Sequence, residues 1–292
     1  MQSLTFWLVY PILWVISKLP WKLFYLFSDI ICFIVFRIIG YRKKVVTDNL
    51  KNSFPEKTEK ELSTIRKKFY THMCDMFLEM LKSMTVSNLD LQKHYKFINK
   101  GDFQKLEDAN KSYMLIAAHH ANFEWANSIG LITKYTCVGV YKTVKNPHFD
   151  KLVRKIRSRF GAEVIPNKKV SKHAVLKETK PETKGDRLYG IVADQTPKLN
   201  KKNYYKEFMG RKVPVFVGAE ILAKKLDLNY AFLKVKKIKR GYYEAEVVII
   251  SEDIKSMSTH EATNVYMDLV EKQIREQPEC YLWTHKRWKY AQ

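Results

Sequence analysis

Short apolar runs that alternate with amphipathic helical patterns constrain the fold of this chain more than any other feature. The runs at residues 113–118, 137–141 and 188–193 have the length and composition of buried strands. Helical patterns occur at 123–133, directly after Asn146-Pro147, and again at 217–226. Such alternation is typical of a largely parallel sheet with helices on its faces. The sequence therefore predicts an α/β fold with a central, largely parallel mixed sheet flanked by helices.

Further patterns extend this prediction toward both ends of the chain. Thr58 and Glu61 have the spacing of a capping box, and the apolar stripe that follows predicts one long helix over 58–84. Residues 229–236 and 242–250 predict adjacent strands joined by a basic turn. The polar stretch 177–187 is typical of a loop, and we find no internal repeat.

The amino-terminal segment is unusually apolar. Residues 1–17 carry no charge, and a second apolar run at 23–36 contains only one charged residue, Asp29. As a helix the first run extends over about 25 Å, which suits a thin single span or a membrane-embedded helical hairpin. We therefore expect a membrane anchor over residues 1–44 and a catalytic domain over 45–292. A buried helix pair of a soluble protein is the alternative.

The charge balance indicates the kind of partner. The chain has 52 Lys and Arg against 30 Asp and Glu, a net charge of +22, which attracts nucleic acid, an anionic membrane surface or an acidic carrier protein. No motif for base reading or stacking is present, so we predict no nucleic-acid partner, and a membrane-attached nucleic-acid-binding protein stays a remote alternative. The four cysteines contain no C-x-x-C pair, which excludes a disulfide framework and a cysteine-built zinc site.

Two histidines follow the apolar run at 113–118. In open α/β sheets the functional groups gather at the carboxyl ends of strands, and His119 and His120 stand at such an end, with Glu124 five residues after His119. A neutral imidazole accepts a proton from an alcohol, and a carboxylate on its other nitrogen stabilises the imidazolium. The sequence thus predicts a His119–Glu124 dyad for group transfer to a hydroxyl. A purely structural histidine stays open, as does a metal site with His120, although no further cluster completes a ligand set.

Asp194 and several arginines form the second candidate region. Asp194 follows the run at 188–193, where it orients substrate, holds a cation from another loop, or merely caps a turn. The helix after Asn146 carries Arg154, Arg157 and Arg159, whose guanidinium groups suit phosphate, with a solvated basic face as the alternative.

A series of motifs resembles those of the lipid A biosynthesis lauroyl/myristoyl acyltransferase family. They run in the same order over nearly the whole chain: Tyr41-Arg42-Lys43 to Asn49-Leu50, Phe54-Pro55-Glu56, His119-x-x-x-x-Glu124, Tyr141 to Asn146-Pro147-x-x-Asp150, Arg157-Ser158-Arg159, Ala193-Asp194-Gln195, Phe208-Met209-Gly210 and Trp283 to Lys289.

The resemblance implies an O-acyltransferase of the wider glycerolipid acyltransferase fold at the bacterial inner membrane, with the catalytic domain on the cytoplasmic side. It would need no cofactor and no metal, and would move a fatty acyl chain from an acyl carrier protein or coenzyme A thioester onto a hydroxyl of a lipid A precursor. His119 would be the base, Glu124 its partner and Arg157 a contact to substrate phosphate or developing charge. Asp194, Arg159 and Asn146 would bind substrate.

Two alternatives to acyl transfer onto a lipid A precursor stay open. Relatives of the family acylate other membrane lipids, so the alternative acceptors are another glycolipid, an aminolipid or a lysophospholipid. A non-catalytic membrane-binding relative is the other alternative. A hydrolase needs an activated serine or cysteine, and none stands in a nucleophile-elbow context.

Overall fold

The computed structural model describes residues 2–108 and 110–292. The strands in these ranges are β1 (Tyr95–Phe97), β2 (Tyr113–Ala117), β3 (Thr136–Tyr141), β4 (Glu163–Pro166), β5 (Arg187–Val192), β6 (Tyr204–Phe208), β7 (Arg211–Val215), β8 (Asn229–Lys239) and β9 (Tyr242–Ser251). Seven of them form one sheet in the order β1-β9-β8-β2-β5-β3-β4, while β6 and β7 form a separate hairpin. Among the described strand pairs of the large sheet, only β8 and β9 are antiparallel. The predicted α/β fold with a largely parallel mixed sheet is therefore confirmed.

Helices cover both faces of the sheet. They are α1 (Gln2–Lys18), α2 (Trp21–Phe33), α3 (Lys43–Ser53), α4 (Glu59–Lys82), α5 (Asn88–His94), α6 (Lys100–Asp108), α7 (Pro147–Arg157), α8 (Val170–Glu178), α9 (Gly218–Leu226) and α10 (Glu261–Glu276). Side chains of β2 alternate between two cores: Met114 and Ile116 join the core that includes α9 and α10, whereas Leu115 packs with α5 and β1 on the other face. This period of two explains why β2 is buried along its whole length.

The capping box predicted for α4 is present. The Thr58 hydroxyl accepts the Glu61 N–H at 3.3 Å, and the Glu61 carboxylate accepts the Thr58 N–H at 2.8 Å. The following stripe packs Leu62, Phe69 and Met73 into the core. The Thr58 and Glu61 side chains each accept a backbone N–H that has no partner within the helix, so α4 begins directly after Thr58.

One predicted helix has a different form. Residues 123–133 contain a 3₁₀ helix, Trp125–Leu131, instead of an α-helix. The Asn127 amide donates to Glu124 O at 2.9 Å, and the Ser128 hydroxyl donates to Trp125 O at 2.7 Å. These side chains compete for the carbonyls that an α-helix would use, so the turn stays tight and short.

The amino-terminal helices α1 and α2 have an apolar outer face. Their exposed side chains are Leu4, Trp7, Leu8, Ile12, Trp14, Val15, Leu23, Leu26, Ile30 and Phe33. On the inner side Phe24 is buried, and Arg240 binds both Asp29 of α2 and Asp75 of α4, each at 2.7 Å. None of the described helices is by itself both long and apolar enough to cross a bilayer. A π-helical turn, Ile34–Ile38, continues α2, and the resulting helix Trp21–Ile38 meets both criteria only together with α3, with an 88° bend between them. The anchor expected over residues 1–44 stays a prediction.

Candidate active site

The register between β2 and β5 brings His119 and Asp194 together. Ala117 is paired with Val192 in these parallel strands, and His119 and Asp194 each lie two residues further along their chains. The two strands end at the same level, so both side chains emerge at the carboxyl edge of the sheet. The backbone N–H of Ala193 donates to Ala117 O at 3.2 Å and continues the pairing to that edge.

The imidazole of His119 is fixed through one nitrogen. Nδ1 lies 2.7 Å from Asp194 Oδ1, and the backbone N–H of His119 donates to the same oxygen at 3.1 Å. The carboxylate accepts, so Nδ1 carries the hydrogen and Nε2 is left with its lone pair. Nε2 lies 3.2 Å from the Gln195 amide nitrogen at the cavity wall. The ring therefore has the tautomer that a general base needs.

Opposing effects set the protonation of this pair. Burial lowers the pKa of His119, but the charge and hydrogen bond of Asp194, with a smaller effect of Glu124, outweigh burial and raise the pKa above its usual 6.5. Burial raises the pKa of Asp194, and the same contacts with His119 outweigh it and lower that pKa. Asp194, only 1% exposed, is thus a charged partner that stabilises an imidazolium.

Glu124 binds Arg157 and not His119, which corrects the predicted contact. The Arg157 guanidinium donates to the Glu124 carboxylate from Nε at 2.9 Å and from Nη2 at 2.5 Å. Arg157 comes from the last turn of α7, and the fork geometry favours this two-point contact over a single bond to an imidazole. The ring of Phe123 packs edge-on against His119, with 4.9 Å between centroids.

His120 is turned away from the cavity. Its Nδ1 lies 3.3 Å from Val235 O and its Nε2 lies 3.1 Å from Gln277 O. Burial lowers the pKa of His120 to about 4, so the ring stays neutral at physiological pH. The second histidine thus has a structural environment and does not compete with His119 for a proton.

Asn146 and Arg159 hold α7 in place. The Asn146 side chain accepts the N–H groups of His148 and Phe149 and caps the helix, as the Asn-Pro pair suggests. Arg159 donates from Nη1 to Ser83 O at 2.6 Å. Neither side chain is among those that line the cavity, whereas Arg157 is.

The cavity beside His119 has a volume of about 580 Å³ and runs along the sheet. His119, Glu124 and Arg157 line its polar part. Its other walls include Leu115, Ala117, Phe123, Ala126, Ile129, Cys137, Gly139, Leu188, Gly190 and Leu233. Gly139 of β3 and Gly190 of β5 are paired directly, so two neighbouring strands have no side chain at this level. A Cβ added at Gly190 would come within 4 Å of one atom only, Val138 O at 3.7 Å.

Gln195 and the pair Gly139–Gly190 line the cavity, although no role was predicted for them. Gln195 follows Asp194 directly, so its place at the strand end was a usable signal. A glycine inside an apolar strand often marks close approach of a ligand or of another backbone, and Gly139 and Gly190 both stand in such runs. Their pairing depends on register, which the sequence does not display. In the part of the chain that the structure describes, no group of three or more His, Cys, Asp and Glu is arranged to hold a metal ion.

Comparison with known proteins gives one consistent result. The sequence model of a family described as bacterial lipid A biosynthesis acyltransferase matches residues 1–290. The lipid A biosynthesis lauroyltransferase of Escherichia coli K12 is 22% identical over 286 residues, which cover 97% of this chain and 90% of that enzyme. The lipid A biosynthesis palmitoleoyltransferase of the same organism is 20% identical over 293 residues, with the same coverage. A lipid A biosynthesis acyltransferase of Shigella flexneri matches at 20% identity.

Proposed function

The chain belongs to the bacterial lipid A biosynthesis acyltransferase family, and from this premise we propose that it transfers a fatty acyl chain from a thioester to a hydroxyl of a lipid A precursor. The donor is acyl carrier protein or coenzyme A carrying the chain. The observation that carries the proposal is the His119–Asp194 pair, whose second imidazole nitrogen, Nε2, faces Gln195 at the wall of a largely apolar cavity.

The reaction needs one base and no covalent enzyme intermediate. The acceptor hydroxyl takes the place of the Gln195 amide at His119 Nε2 and gives its proton to that nitrogen. The acceptor oxygen attacks the thioester carbonyl, an ester C–O bond forms, and the C–S bond breaks. The thiolate leaves and takes the proton from the imidazolium, so His119 returns to its neutral form. Asp194 stabilises the charged ring between these steps.

Arg157 has a complementary role. Its Nε–Nη2 edge is occupied by Glu124, which fixes the direction of the guanidinium at the polar end of the cavity. The opposite edge then binds a phosphate of the acceptor or the oxyanion that develops on the carbonyl. In this proposal Glu124 orients Arg157, and Asp194 takes the role at His119 that the sequence suggested for Glu124.

The enzyme acts at the cytoplasmic side of the inner membrane, attached by α1 and α2. The exposed apolar face of these helices and its tryptophans suit the level of the lipid headgroups. The opposite face contacts the catalytic domain, where the ring of Phe6 in α1 packs against Phe149 of α7 at 5.3 Å. We therefore favour an embedded hairpin over a single span, and the net charge of +22 fits an anionic membrane surface.

Mass spectrometry tests the function directly. Purified protein in detergent, supplied with lipid A precursor and a series of acyl thioesters, is expected to produce precursor with one additional ester-linked chain. In a strain that lacks the protein, that chain is expected to be missing from lipid A. Transfer to a different glycolipid or aminolipid would contradict the proposed acceptor, and consumption of no thioester would contradict the proposed activity.

The glycine pair predicts how acyl-chain length is limited. Gly190 lies four residues before Asp194, about 13 Å down the strand. We expect Gly190→Val to project two methyl groups into the cavity and to exclude the end of a long chain. If two methylenes lose their burial, kcat/KM for the long donor falls by about 1.6 kcal/mol, roughly 15-fold, while a shorter donor is unaffected.

Competition between donors of different length measures this change. Gly101→Val in α6 is the matched control, because an added Cβ there meets nothing within 4 Å and Gly101 does not line the cavity. A folded Gly190→Val enzyme with the chain-length profile of the unaltered protein would show that the acyl chain lies elsewhere.

A further inference from the structure

A buried carboxylate lies behind the loop that carries His119. Glu79 of α4 is 0% exposed and does not line the cavity. Its Oε2 accepts the Asn122 amide at 2.7 Å and the Tyr243 hydroxyl at 2.8 Å, and its Oε1 accepts the Tyr25 hydroxyl at 2.7 Å. One side chain thus joins the amino-terminal helix α2, the strand β9 and the loop after β2.

A buried carboxylate such as that of Glu79 contributes little to stability through packing alone. An ionised carboxylate loses hydration free energy on burial unless hydrogen bonds replace the water, and a well-packed apolar residue often stabilises the fold as much. Burial and the nearby Asp75 raise the pKa of Glu79 to about 7, against the opposing effect of the two tyrosine hydroxyls. The three donors offset part of this cost, which suggests that the carboxylate is needed for what it orients.

Asn122 is the residue that the carboxylate orients most directly. It lies between His119 and Glu124, and its other amide atom, Oδ1, accepts the Trp125 N–H at 2.9 Å. The residue before it, Ala121, has φ +50°, a conformation that a residue with a Cβ rarely adopts. A loop in such a conformation persists only where its surroundings determine it. Here the Trp125 indole also donates to Glu79 O at 3.0 Å.

We propose that Glu79 is a positioning residue for acyl transfer: by fixing Asn122 it sets the course of residues 122–124, and so places Phe123 against His119 and Glu124 against Arg157. This inference rests on the proposed function. Glu79 does not touch substrate in it. Its loss changes kcat through the geometry of the loop and affects KM for the donor less, because the cavity walls formed by β2, β3, β5 and β8 are intact.

Swapping the carboxylate and the amide between Glu79 and Asn122 tests the proposal. Asn122→Asp places a second carboxylate against Glu79. The two share one proton at neutral pH and repel only when both ionise, so across a pH series from 7 to 9.5 kcat is expected to fall progressively below that of the unaltered enzyme, about 100-fold where the pair is fully ionised. Glu79→Gln retains one acceptor, and its amide can donate to a tyrosine oxygen, so we expect a loss of about fivefold or less. The double variant combines Glu79→Gln with Asn122→Asp. Its new amide at position 79 donates to its new carboxylate at position 122, so the hydrogen bond is restored with its direction reversed. There kcat is expected to return to within about tenfold of the unaltered enzyme.

A second measurement does not depend on activity. Hydrogen exchange of residues 119–125 is expected to accelerate in Asn122→Asp and to slow again in the double variant. The matched control is Glu178→Gln, another buried carboxylate, which accepts Ser112 Oγ at 2.9 Å and Tyr189 Oη at 2.8 Å away from the cavity. It is expected to lower thermal stability without changing kcat.

The outcomes separate this inference from the proposed function. An unaltered enzyme that transfers no acyl chain would contradict the proposed function. Hydrogen exchange of residues 119–125 would still show whether Glu79 positions the loop. An active enzyme in which Asn122→Asp keeps its kcat and exchange rate, or in which the double variant recovers neither, would overturn the positioning role.

Discussion

His119→Ala is expected to lower kcat for acyl transfer by about 10³-fold, or about 4 kcal/mol of transition-state stabilisation. The variant has no group at the position of Nε2 that accepts the proton of the acceptor hydroxyl. Water in the vacated space is a much weaker base than imidazole, and Asp194 lies on the Nδ1 side of the former ring, a ring width away from the position of the acceptor hydroxyl. Steady-state transfer to the lipid acceptor at saturating donor measures the loss, and KM for the donor is expected to change little.

The control is a second histidine beside a carboxylate. His173 Nε2 lies 3.4 Å from Glu163, and this pair is not part of the cavity wall. His173→Ala is expected to retain kcat. Thermal melting of both variants shows whether each protein is folded. Undiminished turnover by folded His119→Ala would remove this residue from the reaction and would leave the cavity without its base.

Local patterns were sufficient for most of the fold. The apolar runs became β2, β3 and β5, with ends within one residue of those expected, because a strand buried on both faces is apolar along its length. Helix α10 was not predicted, although it has a regular apolar stripe of Ala262, Tyr266, Val270 and Ile274. The hairpin of β6 and β7 was also not predicted, since its burial depends on contacts with distant parts of the chain.

The site was harder to predict because its contacts cross between strands. His119 and Glu124 are close in sequence, and that closeness suggested a dyad. The structure instead pairs His119 with a residue 75 positions away, through a register that no local pattern displays. Glu124 faces the end of α7, where Arg157 offers two donors to its two oxygens. Residue type and strand end were readable from the sequence, whereas the choice of partner was set by topology.

Because Asp194 and not Glu124 contacts His119, the pH dependence of acyl transfer is expected to respond most strongly to Asp194. In the proposed reaction the base is neutral His119, so kcat/KM, whose pH dependence follows groups of the free enzyme, is expected to rise with pH and to level off above the pKa of the imidazole. Because the Asp194 charge outweighs burial and raises that pKa, the midpoint of the rise is expected above 6.5. In Asp194→Asn the charge is gone while burial and Arg157, which both lower the pKa, remain. The midpoint therefore moves to lower pH.

Asp194→Asn is also expected to lower the plateau of kcat/KM by about 10³- to 10⁴-fold, since an amide permits the wrong imidazole tautomer and stabilises the imidazolium poorly. Glu124→Gln is the matched comparison. Glu124 raises the pKa of His119 from a distance and without a hydrogen bond to it, so its removal is expected to shift the midpoint in the same direction by less. A larger shift in Glu124→Gln than in Asp194→Asn would mean that Glu124, as the sequence suggested, is the carboxylate that controls the base during turnover.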